Sequence, residues 1–69
     1  MFVYMNVKPK LRELLKEKKL TQNQLADMTG IPQASISRFD KNSQHLDLHL
    51  IKIAKALNVS LEELFEIEE

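Results

Sequence analysis

Sixty-nine residues with ten Lys or Arg, ten Asp or Glu and no cysteine allow one small domain and exclude a disulfide or thiolate-metal staple. A chain of this size buries only about 60% of the surface its unfolded state exposes, so a stability of a few kcal/mol is expected. No apolar run approaches the roughly 18 residues of a membrane span and the N-terminus lacks a secretory leader pattern, so a cytoplasmic protein with no membrane partner is expected.

The chain begins with Phe2-Val3-Tyr4-Met5-Asn6-Val7, which alternates and is β-prone. It can pair with the Phe65-Glu66-Ile67-Glu68 tail, within one chain or between two; an unstructured start or initiation at Met5 are the alternatives. Residues 1–7 are therefore read as an N-terminal extension and 8–69 as the domain. Helical patterning then takes over. A first helix is predicted over 9–18, with Pro9 suited to a first helical position and Leu11, Leu14 and Leu15 on one face. A second opens with the capping box Thr21-Gln22-Asn23-Gln24, with Leu20 stapled onto Leu25, and stops at Gly30. A third runs from about Pro32 to Lys41, with Asn42 as a left-handed terminator. A fourth begins at Asp47, read as its N-cap, and extends to Leu57. Its apolar row is Leu50, Ile53, Ala54 and Leu57, widened by Leu48 and Ile51. A fifth helix is predicted from a second box, Ser60-Leu61-Glu62-Glu63, with Val59 stapled onto Leu64.

The segment QNQLADMTGIPQASISRFDK, residues 22–41, has the spacing that a helix-turn-helix needs. Ala26 is small where a second helix must cross close by. Gly30 supplies a positive φ without the penalty of a Cβ. Ile31, Ile36 and Phe39 pin the following helix to the body of the domain. At about 100° per residue, Ala34, Ser37, Arg38 and Lys41 all fall within about 50° of the direction opposite the Ile36–Phe39 face. Gln33 stands at the exposed head of that helix. A major groove admits a helix, Gln can bond an adenine edge, Arg a guanine edge, and Ala or a Ser methylene can touch a thymine methyl.

Residues 11–65 resemble the helix-turn-helix regulators of the phage-repressor type, the Cro/C1 or XRE family. The shared text is LRELLKEKKLTQNQLADMTGIPQASISRF followed by LIKIAKALNVSLEELF. The resemblance implies an all-α, compact five-helix, lambda-repressor-like DNA-binding domain, with a short N-terminal strand left open. It implies sequence-specific binding of double-stranded DNA by a homodimer on a palindromic operator with half-sites about one helical turn apart. The expected outcome is transcription regulation, as a repressor acting by occupancy. The expected DNA-binding set is Gln22, Gln33, Ala34, Ser35, Ser37, Arg38, Lys41 and Asn42. Family members use the residue matching Gln22 on the DNA backbone and let it brace the one matching Gln33. Dimerisation is expected through the fifth helix and the outer part of the fourth, with the terminal strands left open as an addition, and with Leu48, Ile51, Leu61 and Ile67 as the apolar surplus. The departures are Leu15 where a basic residue usually pairs with the acid here at Asp40, Lys19 and Asn42 where glycines are usual, and a start of the fourth helix one residue short of common members. They leave open how the first helix meets the third.

Zero net charge hides an asymmetry: residues 1–42 hold eight Lys or Arg against four acids, and residues 43–69 hold two Lys against six acids. One basic end for phosphates and one acidic end kept away from them fit DNA binding. Lys8, Lys10, Lys16, Lys18 and Lys19 can add phosphate contacts, though a solvated helix face explains them equally. His45 and His49 lie four apart with no third ligand of matching spacing, so no metal site is expected. No nucleophile, base or phosphate-cradling glycine loop accompanies the acids between Glu62 and Glu69, so neither catalysis nor a cofactor is expected, and no small-molecule ligand is evident. The alternative is a protein-interaction module, antitoxin-like or adaptor, with DNA binding secondary or lost. A steep salt dependence of duplex binding separates the two.

Overall fold

In the computed structural model, which describes residues 5–68, four of the expected helices form: α1 (Leu11–Glu17), α2 (Gln22–Thr29), α3 (Gln33–Arg38) and α4 (Asp47–Leu57). One 3-10 turn, Phe39–Lys41, continues α3, and another, Glu62–Leu64, follows α4. Two short strands, β1 (Asn6–Pro9) and β2 (Phe65–Glu68), pair antiparallel with Val7 opposite Ile67 and Lys8 opposite Glu66. The fold is therefore mainly helical with a two-stranded sheet. The expected all-α, five-helix architecture is corrected on that point.

Each difference has a local cause. Beyond Ser60 only one 3-10 turn forms: the Ser60 hydroxyl accepts from the Glu63 amide at 3.4 Å, and Leu64 N–H donates to the Leu61 carbonyl at 3.1 Å. Continuing that turn as a helix would require Phe65–Glu68, and those alternating residues are taken by the ladder with β1, so the expected fifth helix is replaced by a turn and a strand. The same ladder claims Pro9, which lies opposite Phe65 and not at a helix start. The tail thus pairs within the chain. Of the β-prone start, Phe2, Val3 and Tyr4 lie outside the described residues.

Two further expectations change at helix ends. Asp47 is the first helical residue of α4; the N-cap is Leu46, with no side-chain cap bond. Asn42 is extended (φ −89°, ψ 141°), so it is not a left-handed terminator. Left-handed backbone occurs instead at Lys19 (φ 57°) and Asn58 (φ 57°), besides Gly30 (φ 74°). At Lys19 it closes α1 as a Schellman motif: Leu20 N–H donates to the Leu15 carbonyl at 2.9 Å and Lys19 N–H to Lys16 at 3.1 Å. Asn58 closes α4 in the same way through Val59 to Ala54 and Asn58 to Lys55. The glycine usual at Lys19 is missed in energy, not in shape.

The core is one cluster. Leu11, Leu14 and Leu15 from α1 meet Leu25, Ile31, Ile36, Phe39, Ile53, Ala54, Leu57 and Leu64, all buried. Burying one such aliphatic side chain contributes about 1.5–3 kcal/mol before entropy is subtracted. Ala26, Leu20 and Val59 pack against the cluster, as the staples and the small crossing residue require. Leu48 and Ile51 do not join the α4 core row; they stay 60% and 45% exposed.

Candidate nucleic-acid interface

The turn between α2 and α3 sets the site. The capping box at Thr21 is complete: its hydroxyl accepts from Gln24 N–H at 3.1 Å, and the Gln24 side-chain oxygen accepts from Thr21 N–H at 2.8 Å. At the far end Gly30 N–H donates to the Ala26 carbonyl at 2.8 Å while Gly30 turns left-handed. Space around Gly30 is open, so only its φ demands glycine. Thr29, to which the sequence pattern gives no role, locks this turn. Its buried hydroxyl donates to the Leu25 carbonyl at 2.7 Å and accepts from Ile31 N–H at 3.2 Å. A threonine directly before a helix-ending glycine is the only signal the sequence offers for it.

On this frame the expected residues fall as follows. Gln33, Ala34 and Arg38 are exposed along α3, Ser35 and Ser37 are half-buried at its flanks, and Lys41 and Asn42 are exposed just beyond it. Gln22 opens α2 and is half-buried. The structure joins the two glutamines: Gln33 Nε2 donates to Gln22 Oε1 at 2.9 Å. That bond uses one of the two Gln33 amide hydrogens and leaves its oxygen and second hydrogen free, the pair an adenine edge requires. Gln22 keeps its own NH2 for an acceptor such as a phosphate oxygen.

Two contacts fix where α3 ends. The Asp40 carboxylate spans to the start of α1: Oδ1 accepts from Leu11 N–H at 2.8 Å and Oδ2 from Arg12 N–H at 3.0 Å. The ion pair that a basic residue at position 15 would make is replaced by an acidic cap on the positive end of α1, and Leu15 is a buried core residue. The acid near the end of α3 is thus neither idle nor unpaired. On the other side His45 Nε2 lies 2.8 Å from the Phe39 carbonyl, and its ring lies 4.0 Å from the Phe39 ring at 31°. Phe65 from β2 backs both rings at 6.2 and 6.1 Å. No three His, Asp or Glu side chains stand close enough to hold a metal among the described residues, and His45 is accounted for by Phe39.

One hollow lies along α3 and another beside the turn that continues it. The first, about 240 Å³, is walled by Ala34, Ser35, Arg38 and Asn42 with Gln44, His45 and His49. The other, about 340 Å³, lies beyond Asp40 and is walled by Lys8, Lys10, Arg12 and Lys16 with Glu13 and Glu66. Ile36 and Phe39 seat α3 on the core and leave Gln33, Ala34 and Arg38 exposed, the shape of a helix that can enter a groove.

This arrangement defines a helix-turn-helix protein, and comparison with known proteins agrees. Residues 10–69 match the Cro/C1-type HTH DNA-binding domain. The chain belongs to that family. A solved structure described as the transcriptional regulator VanUg, crystal form II, is similar to it with a TM-score of 0.72 at 20% identity, covering 97% of this chain and 91% of that one. At that identity the likeness concerns the fold. No curated protein sequence matches significantly. No helix among the described residues is long and apolar enough to cross a membrane.

Proposed function

We propose that this protein is a sequence-specific transcriptional regulator that binds operator DNA as a homodimer and represses by occupancy, excluding polymerase from the promoter. The observation that carries the reading is the Gln22–Gln33 bond at the head of α3, 2.9 Å long, with Ala34 and Arg38 exposed behind it. In this reading Gln33, Ala34, Ser37 and Arg38 address base edges, and Ser35 sits at the flank of that row. Gln22, Lys41 and Asn42 hold phosphates; phosphate contacts position the domain and base contacts specify the sequence.

The dimer uses the outer face of α4 and the turn after it. Leu48 is 60% exposed, Ile51 45% and Leu61 45%, apolar side chains available to such a contact. Lys52 and Lys55 lie on α4 and Glu62 and Glu63 follow Leu61, so a two-fold contact can set each pair against the other's opposite charge. Selection of bound sites from random DNA tests the whole reading. A recovered inverted repeat supports it; recovery of no enriched sequence, or of unpaired half-sites only, refutes specific binding or the dimer respectively.

A further inference from the structure

We propose that the cleft walled by Lys8, Lys10, Arg12 and Lys16 is a second phosphate site, gripping the duplex backbone beside the groove that α3 enters; this rests on the DNA-binding reading above. The placement follows from α3 itself. Ser37 and Asp40 lie three residues apart and so stack on one flank of the helix and its continuation, and Asp40 lines this cleft. Ala34 and Arg38, two of the residues assigned to bases, line the other hollow, so this cleft lies to one side of the reading face. A helix about 10–12 Å across nearly fills a major groove about 12 Å wide, which brings a sugar–phosphate wall against each flank.

The charges suit the backbone of a duplex. Four cations from β1, the β1–α1 junction and α1 converge on one cleft. Of the acids there, Asp40 has both oxygens engaged by the Leu11 and Arg12 amides, so it acts as a tether and its charge faces the start of α1. Glu66 is the cross-strand partner position of Lys8, and Glu13 is the remaining acid. Pairing of β2 with β1 therefore carries an acid from the negative tail into a cleft of four cations that already holds Glu13 and the engaged Asp40, where it restrains binding. The tether also gives the site its value. Asp40 ties the end of the reading helix to the backbone of the cleft, so a phosphate held there is in fixed register with the bases addressed by α3.

The test compares the salt dependence of binding for the wild-type chain, Lys10→Gln/Arg12→Gln and Glu66→Gln, on a random-sequence duplex and on the selected operator. Both substituted cations are tied to the fold through backbone amides, which the variants keep. The double variant should bind both duplexes more weakly by the same factor. Its slope of log affinity against log salt should fall by about 1 for each phosphate that is no longer neutralised. Glu66→Gln should tighten both, which damage to the fold would not do. Should the double variant melt early, Lys8→Gln/Lys16→Gln makes the same comparison from the other walls. Wild-type slopes in folded variants overturn the cleft while leaving DNA binding intact. Failure of the wild-type chain to bind any duplex at low salt removes the DNA reading and the cleft together.

Discussion

Asp40→Ala tests the contact by which the end of α3 is fixed to the start of α1. The substitution removes two acceptors 2.8 and 3.0 Å from the amides of Leu11 and Arg12. The Leu11 amide is part-buried and water replaces the carboxylate poorly there, at about 1–2 kcal/mol. The Arg12 amide is exposed and rehydrates, at about 0.5 kcal/mol, and loss of an acid from the positive end of α1 adds about 0.5 kcal/mol. The total is about 2–3 kcal/mol, which for a domain this size lowers the melting midpoint by roughly 10–20 °C. Asp40→Asn keeps one acceptor and should lose about half as much. Urea unfolding of the three proteins, with amide exchange at Leu11 and Arg12, measures both. A stability for Asp40→Ala within about 0.5 kcal/mol of wild type would show that water caps α1 as well as the carboxylate does.

Arg38→Ala should cost about 1–3 kcal/mol on the selected operator, relax preference at one or two positions and leave random DNA nearly unaffected; equal losses on both would remove Arg38 from the base-reading set. Gln22→Ala should weaken all sequences and also release Gln33, so a double-mutant cycle with Gln33→Ala should give a coupling of about 0.5–1 kcal/mol, and simple additivity would mean that the 2.9 Å bond does not operate on DNA. Lys19→Gly should raise stability by about 0.5–1 kcal/mol, because relief of left-handed strain at φ 57° outweighs the added freedom of the unfolded chain; a loss in thermal denaturation contradicts it. Leu48→Lys/Ile51→Lys should yield a folded monomer with reduced operator affinity, read by sedimentation, and an unchanged dimer would move the interface elsewhere.

The helix-turn-helix could be read from the sequence because its instructions are local. The Thr21–Gln24 box, the left-handed glycine at position 30 and the 3.6-residue spacing of Ile36 and Phe39 each act within one or two turns of backbone. Ser60 marks where local rules fail, since a valid start signal there is followed by residues that a distant strand recruits. Asp40 likewise has no partner legible in the sequence. The donors to its oxygens lie 29 and 28 residues away and are backbone amides, which no residue type announces.

What the chain determines unaided is therefore the turn, the apolar faces and the polar row on the third helix, since propensity, capping and periodicity are properties of short segments. Tertiary structure alone decided that the tail pairs within the chain in place of a fifth helix, that Asp40 caps α1, that His45 closes the end of α3, and that Asp40 and Glu66 join the cations of residues 8–16 in one cleft. Those outcomes depend on which segments the core brings together, and hydrogen-bond donors and charges find their partners only after that packing exists.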